Sequence, residues 1–308
     1  MDATSRGSSG RTATAGDDLR LTGRAGYDPR FLAPGPLVPL PLPTDGAEVL
    51  VLPYTHFSVL LRPDRRLAAV TVVAVDGGRL VDLDRGGDAW FLDPRVGPDV
   101  QAGAELYARN DFDRGHLVRR RDPVWGAAGE ARAANADTFS YANAAPQASR
   151  FNQSMDLWLG LEDHVLAYAR RYDQRLVVLT GPVFADDDPE YRGVQVPRRF
   201  FKVAAYLLPQ PADLDPDQEV SVLATAGFVL DQTPLVEEVV AAPSSRSVPP
   251  LEGFRTFQVP VADIGDLTNL DLGSLVAADR MPGLVPAASL EGGVPSWRPV
   301  TGPADLLL

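Results

Sequence analysis

Patterns typical of β-strands recur along this chain without a regular alternation with helices. Apolar, β-branched runs cover residues 56–61, 67–75, 176–180, 200–208 and 220–230. The turn sequence at 63–66 predicts a hairpin between the first two runs, and Gly181-Pro182 is expected to stop the third. Apolar residues spaced three to four apart predict a long helix over 152–172. Because parallel strands need a helical crossover between them, this order favours an α+β fold with a central antiparallel sheet flanked by helices.

The two ends of the chain differ in composition from its middle. Residues 1–24 have few bulky apolar side chains and many Gly and Ser, so we expect this segment to be disordered. The proline-rich stretch 27–43 is expected to lie extended along a surface. Residues 286–308, also rich in Gly and Pro, are expected to form an appended tail. These boundaries leave 25–285 as one domain that can bury a substantial core.

Charge and cysteine content narrow the functional classes. The net charge of −12 argues against a broadly basic nucleic-acid binder, but residues 100–202 carry 14 basic and 14 acidic side chains. A small positive cleft on an acidic body is compatible with phosphate binding. The absence of cysteine excludes disulfides, thiol nucleophiles and thiolate metal sites. Since we find neither a membrane-length apolar run nor the apolar part of a secretory signal, we expect a cytoplasmic protein that does not engage a membrane.

Polar residues suited to phosphodiester chemistry are concentrated between residues 113 and 152. The sequence Asp113-Arg114-Gly115-His116 is followed by Asn143-Ala144-Ala145-Pro146-Gln147 and then by Asn152. An imidazole titrates near neutrality and can act as a base, whereas a guanidinium can bind two phosphate oxygens at once. Amide oxygens suit Mg²⁺, which prefers oxygen ligands and retains several waters. The set therefore predicts hydrolysis of a phosphodiester with one hard metal ion.

This ordered series resembles the DNA/RNA non-specific endonucleases, a family with the ββα-metal (His-Me finger) fold that includes endonuclease G-like nucleases. The similarity extends to Trp158, Leu161 and Glu162, which match a Trp-x-x-Leu-Glu helix, and to residues 180–184 in a later strand. It covers roughly residues 26–285. One feature departs from the pattern, because Asn152 and Glu162 are ten residues apart, which is longer than the spacing common in the family.

The resemblance implies a catalytic set of five residues. His116 would be the general base that activates water, and Arg114 would hold the phosphate. Asn152 would be the direct protein ligand of one Mg²⁺ ion, for which Mn²⁺ could substitute. Glu162 would assist through a metal-bound water, and Asn143 is counted with the catalytic residues.

The resemblance also implies partners. Arg119, Arg120 and Gln147 would bind substrate together with Arg114. DNA and RNA are the implied substrates, cleaved with little sequence preference because contacts to the backbone suffice. Since a non-specific nuclease endangers its host, a regulatory or inhibitory protein is a further expectation, as is a homodimer.

Several of these residues also have a structural interpretation. Asn152 is a good N-cap for the helix that follows it. Because ten helical residues rise about 15 Å, Asp163 stays an alternative to Glu162. Arg119, Arg120 and Arg121 could form a solvated face. Structural functions are expected for His56, His164, Phe112, Trp125 and Trp158.

Two other functions stay open for the whole protein. The first is a catalytically idle family member that binds nucleic acid or a protein partner, which the acidic composition favours. The second is a phosphodiesterase restricted to small nucleotides or to one strand form.

Overall fold

The computed structural model describes residues 21–149 except 85, 87 and 88, residues 166–209 except 168, and residues 221–241, 255–281, 297–302 and 305–306. These residues form a mixed α+β structure built on a large antiparallel sheet, which confirms the predicted fold class.

Eight of the described strands form the main sheet, in the order β1-β2-β3-β6-β9-β10-β11-β12, and every neighbouring pair is antiparallel. They are β1 Leu50–Pro53, β2 Phe57–Arg62, β3 Leu67–Asp76, β6 Arg175–Val183, β9 Arg199–Pro209, β10 Ser221–Asp231, β11 Arg255–Val259 and β12 Arg298–Pro299. Two smaller pairs are separate from this sheet: β4 Phe112–His116 with β5 Ala144–Ala148, and β7 Glu190–Tyr191 with β8 Val194–Gln195.

The described helices are short. They are α1 Ala104–Tyr107, α2 Ala128–Asp137, α3 Thr233–Ala241, α4 Val261–Thr268 and α5 Gly273–Ala277. Residues 166, 167 and 169–171 are also helical, at the end of the helix predicted over 152–172. Most of the rest of that predicted helix lies outside the described residues. No helix within the described ranges is long and apolar enough to cross a membrane.

The main sheet is covered on both faces. All ten residues of β3 are buried, and from Val72 to Val75 they alternate between two core clusters. One cluster contains Ala68, Val73 and Val75, and the other contains Val70, Val72 and Ala74. A strand buried on both faces has a nearly continuous apolar sequence, which is why this segment was recognisable. The first cluster also includes Leu117, Val118, Ala142, Ala145 and Ala148, so the β4–β5 pair rests on that face of the sheet.

The predicted hairpin is confirmed, but the predicted end of the third strand is wrong. Strands β2 and β3 pair across the turn at residues 63–66. Strand β6 continues through Gly181 and Pro182 to Val183. Proline is tolerated there because the pairing of β3 with β6 reaches only Thr180. Glycine is needed there because a Cβ atom at residue 181 would lie 2.2 Å from the carbonyl oxygen of Ala69.

The N-terminal boundary lies before the predicted one. Leu21 is 2% exposed and belongs to the core. Arg24 Nε lies 2.7 Å from Oδ2 of Asp137, whose side chain is fully buried. The expectation of disorder therefore does not hold for residues 21–24, while residues 1–20 lie outside the described ranges. The proline-rich stretch also packs more deeply than expected, since Tyr27, Leu32 and Val38 are buried in the second core cluster.

Part of the expected C-terminal tail belongs to the fold. Strand β12 pairs with β11, with Phe257 opposite Pro299 and Gln258 opposite Arg298. Just before β12, the Trp297 indole donates a hydrogen bond to Asp263 at 2.8 Å. Residues 297–300 are thus an edge of the main sheet, a long-range pairing that the local Gly and Pro content does not reveal.

Candidate active site

Strands β4 and β5 carry the predicted motif and its amide-rich partner. Their register places Asp113 opposite Gln147, Arg114 opposite Pro146 and His116 opposite Ala144. Side chains alternate along a strand, so Arg114 and His116 project to the same side. Both contact the same indole: the Trp90 ring lies 4.7 Å from the His116 ring and 5.7 Å from the Arg114 guanidinium carbon. The structure therefore brings the predicted base and phosphate ligand together.

Gly115 is required by the close packing of these two strands. A Cβ atom at this position would lie 2.1 Å from Cδ, 2.3 Å from Oε1 and 2.5 Å from Cγ of Gln147. Any larger residue at 115 would therefore displace the Gln147 side chain. The glycine of the motif allows the buried amide to cross over the strand that carries His116.

His116 lies in an apolar, aromatic environment. The Trp90 ring is tilted against it, and the Phe139 ring meets it edge-on at 5.1 Å. Its Nε2 is buried and has no hydrogen-bond partner among the described residues, although part of the residue stays accessible. Burial, and to a lesser extent the positive charge of Arg120, lower the pKa of His116 from its usual 6.5 to about 4. The imidazole is therefore neutral at pH 7 and has a free position for a proton.

Arg114 is exposed at the mouth of the same environment. Its guanidinium carbon lies 5.7 Å from the Trp90 ring, 5.9 Å from the Tyr107 ring and 6.0 Å from the Tyr141 ring. These three side chains are called the aromatic frame below. Cation–π contacts within about 6 Å are attractive, and Arg114 also donates a hydrogen bond to the Tyr141 hydroxyl. Burial raises the pKa of both tyrosines, so they are neutral hydroxyls near the Arg114 charge.

The chain is similar to known proteins in sequence and in structure. The family model for DNA/RNA non-specific endonuclease matches residues 34–279, which include both strands of the site. This chain belongs to that family. A protein of Sinorhizobium fredii described as "Uncharacterized protein y4fB" is 38% identical over 289 residues, covering 85% of this chain and 41% of that protein. The chain thus spans less than half of that relative's length.

A solved structure, "Crystal structure of the EndoG/EndoGI complex: Mechanism of EndoG inhibition", shares the fold. The TM-score is 0.51 at 20% sequence identity, and the match covers 71% of this chain and 84% of that chain. The family resemblance inferred from the motifs is therefore confirmed, and the similarity in structure agrees with the predicted ββα-type nuclease fold.

Asn143 has a structural function in this endonuclease fold. Its side chain is fully buried. Its Oδ1 accepts a hydrogen bond from the Val118 N–H at 2.8 Å, and its Nδ2 donates to the carbonyl oxygens of Val118 at 2.9 Å and Thr138 at 3.0 Å. These bonds tie the residues after β4 to those before β5. The amide therefore supports the loop next to His116, and a catalytic function of Asn143 stays a prediction.

Gln147 is the buried amide with unused hydrogen-bonding capacity. Neither its Oε1 nor its Nε2 has a partner among the described residues, and the residue is fully buried. Sequence reasoning missed the residue that holds its strand, Gln232. The Gln232 side chain accepts from the Ala148 N–H at 3.0 Å and donates to the carbonyl oxygens of Pro146 and Pro197 at 3.3 and 2.8 Å.

The arginines after the motif are held by the protein. Arg120 donates to Oδ1 of Asn135 at 3.0 Å, and Arg119 and Arg120 are both half-buried. Arg121 and Arg170 both bind the exposed Asp82. Arg120 acts on the site through its charge, because it contributes to the lowered pKa of His116. A substrate-binding function of Arg119 and Arg120 stays a prediction.

The predicted metal ligand and its helix lie outside the described residues. The predicted residues of this segment share that position outside the described ranges: Asn152, Trp158, Glu162, Asp163 and His164. Across the described ranges, no group of three or more His, Cys, Asp or Glu residues is arranged to hold a metal ion. The Gln147 amide lies on the face of the β4–β5 pair opposite to Arg114 and His116, because Gln147 pairs with Asp113 and packs over Gly115.

The residues expected to be structural behave as predicted where they are described. His56 has a positive φ of 68° and stacks on Trp125 with ring centroids 3.4 Å apart. Its two ring nitrogens contact the Pro123 carbonyl oxygen at 2.8 Å and Glu130 at 3.0 Å. Phe112 and Trp125 are buried. Among the described residues His116 is therefore the histidine with an unused buried nitrogen.

The aromatic frame and Phe139 were not predicted as parts of the site. Trp90 and Phe91 follow a polar, glycine-containing stretch at 82–88, where two adjacent large aromatic residues were an available sign of a function. Tyr141 and Phe139 lie within four residues of Asn143 and could have been included in the motif. Tyr107 had no local sign, because only the fold brings α1 to β4.

Proposed function

We propose that this protein hydrolyses the phosphodiester bonds of DNA and RNA with little sequence preference, in a reaction that depends on Mg²⁺. Family membership supports a non-specific nuclease. The observation that carries the finer proposal is the neutral His116 beside the exposed Arg114, with a buried Nε2 that has no partner in the part of the chain that the structure describes.

His116 accepts a proton from the attacking water. Its low pKa keeps the imidazole unprotonated before substrate arrives. The negative charge of a bound phosphodiester favours the imidazolium and thus raises the pKa towards neutrality, which strengthens the base when it is needed.

Arg114 binds phosphate oxygens through its outward-facing donors. The aromatic frame restricts the guanidinium before substrate binds, so less side-chain entropy is lost on binding. Because this contact is made to the backbone of the nucleic acid, it does not distinguish bases.

Asn152 would hold the metal ion, and Glu162 would orient one of its waters. Bound Mg²⁺, or Mn²⁺ in its place, would neutralise charge at phosphorus and on the leaving oxygen.

A plasmid-nicking assay with added Mg²⁺ tests the proposal. His116→Ala should lower the rate by about 10² to 10⁴, as loss of a general base does. Arg114→Ala should also lose activity, whereas Arg30→Ala should not, because Arg30 is largely exposed and its described ion pair is with its neighbour Asp28. Turnover of His116→Ala close to that of the unsubstituted protein would refute the assigned base.

A catalytically idle, binding form of the fold is the second candidate. The acidic composition favours it, and the EndoG/EndoGI structure shows EndoG in an inhibited complex. Binding of DNA or RNA without any cleavage in Mg²⁺ or Mn²⁺ would select this candidate. Plasmid, single-stranded DNA, RNA and a chromogenic phosphodiester compared in one assay would identify a restricted substrate range. An inhibitory partner, a homodimer and a cytoplasmic location stay predictions.

A further inference from the structure

Trp90 lies between the two motif residues without belonging to the motif. We propose that Trp90 is a positioning residue of the active site, which holds the His116 imidazole and the Arg114 guanidinium in a fixed mutual orientation and shields the imidazole from water. This inference rests on the proposed function only where it concerns turnover. The shielding of His116 is a property of the folded protein without substrate, so it does not rest on the proposed function.

The aromatic and cation–π contacts of Trp90 are with residues of the site. Its ring lies 4.7 Å from His116, 5.4 Å from Phe139, 5.5 Å from Tyr141 and 5.7 Å from the Arg114 guanidinium carbon. The indole is half-buried among these neighbours, which limits the face that it can offer to a nucleic-acid base. Its position therefore favours support of the motif residues over direct contact with substrate.

The backbone next to Trp90 is anchored to the segment that precedes β5. The Phe91 N–H donates to the Phe139 carbonyl oxygen at 3.1 Å, and the Tyr141 N–H donates to the Phe91 carbonyl oxygen at 2.9 Å. Phe91 and Ser140 form an isolated parallel bridge. Because two backbone hydrogen bonds fix the neighbouring residue, the indole is carried by a defined part of the fold.

Trp90 is suited to act on both residues at once. An indole face attracts a guanidinium and leaves its donors free for phosphate. The same ring covers one side of His116, and Phe139 meets another side edge-on. Without the indole, the imidazole and the guanidinium would each gain rotational freedom. A misplacement of about 1 Å in such a pair can cost about 10²-fold in rate.

Chemical labelling of His116 tests the shielding directly. The probe is diethyl pyrocarbonate, which acylates accessible unprotonated imidazole nitrogen, and the readout is the labelling rate of the His116 peptide by mass spectrometry. The proteins are the full chain, Trp90→Ala, Trp90→Phe and the matched control Trp297→Ala. Trp297 also packs on an aromatic ring, Phe257 at 5.6 Å, but it lies against the second core cluster.

Trp90→Ala is expected to raise the labelling rate of His116 several-fold, whereas Trp90→Phe and Trp297→Ala leave it near that of the unsubstituted protein. The labelling rate of His56 in the same samples is the internal standard, because both of its ring nitrogens are engaged. Melting temperatures of all four proteins show whether general loosening accounts for any change. An unchanged His116 rate in folded Trp90→Ala, or an equal rise in Trp297→Ala, would overturn the proposal.

Steady-state kinetics test the positioning. In Trp90→Ala, kcat should fall by about 10²-fold, as expected for lost alignment, with a much smaller change in KM. Trp90→Phe should recover most of kcat because it retains an aromatic face. A rise in KM with unchanged kcat would contradict the proposal by making Trp90 a substrate contact. Absence of cleavage by the unsubstituted protein would refute the proposed function, and labelling would then decide the shielding by itself.

Discussion

Gly115→Ala is the substitution for which the structure gives the sharpest expectation. The added methyl group would meet three Gln147 side-chain atoms at 2.1 to 2.5 Å, far inside van der Waals contact. Gln147 is fully buried, so its amide has no solvent to move into. The β4–β5 pairing also limits movement of the backbone. The clash must therefore distort the strand pair that carries Arg114 and His116.

The expected cost follows from the cost of overpacking a core. Inserting a methyl group into a well-packed site destabilises by about 1–3 kcal/mol. Gly129→Ala is the matched control, since a Cβ atom there has no neighbour within 4 Å and the residue lies in helix α2. That exchange should stabilise the protein by about 0.5–1 kcal/mol, because alanine is the better helix former.

Urea unfolding and plasmid cleavage measure the two consequences of Gly115→Ala. The free energy of unfolding should fall and cleavage should fall with it, whereas Gly129→Ala retains cleavage. The double substitution Gly115→Ala/Gln147→Ala removes the side-chain atoms that clash with the added methyl group. It should therefore be more stable than Gly115→Ala, although it lacks the Gln147 amide. If Gly115→Ala is as stable as Gly129→Ala, or the second substitution recovers nothing, the packing argument for this glycine is wrong.

Three further predictions concern pH, the N-terminal boundary and the metal. The pKa of His116 is about 4 in the folded protein, whereas an unfolded histidine titrates at about 6.5. Between these two pH values the unfolded chain therefore binds a proton at residue 116 that the folded protein does not bind. Stability should therefore fall as pH drops through this window, and less steeply in His116→Gln by urea unfolding; equal slopes would contradict the buried neutral imidazole. Deleting residues 1–20 should leave the free energy of unfolding unchanged. Arg24→Ala should lower it by about 1–3 kcal/mol, because the substitution removes a partner of the buried Asp137. Calorimetry measures both effects, and an unchanged stability of Arg24→Ala would contradict the revised boundary. Activity should vanish in chelator and return with Mg²⁺ or Mn²⁺, and Asn152→Ala should weaken metal dependence more than Gln147→Ala does; full activity in excess chelator refutes this account.

Local sequence was sufficient where a single element carries the information. The apolar runs of β3, β9 and β10 and the turn at 63–66 were recognisable because strand burial and turn chemistry act over a few residues. The same holds for the motif at 113–116 and its amide-rich partner, whose order along the chain identified the family.

Local composition misled where long-range contacts decide the outcome. Residues 21–24 and 297–300 have the composition of termini, yet Leu21 joins the core and β12 completes the sheet. Gly181-Pro182 was predicted to end a strand, but β6 continues through it because the pairing with β3 has already ended. The β3 residues concerned are more than a hundred residues away in sequence, so the local sequence does not show this.

The sequence by itself determined which chemical groups the site contains: an imidazole, a guanidinium and several amides, in an order typical of one nuclease family. Only the tertiary structure decided their state and function. His116 is neutral because Trp90 and Phe139, from other segments, surround it and remove water. Asn143 and Gln147 are both buried amides on adjoining segments, but Asn143 supports a loop, whereas Gln147 has no hydrogen-bond partner among the described residues, because their neighbours differ. Hydrogen bonding and desolvation depend on neighbours in space, and those neighbours come from parts of the chain that no local pattern links.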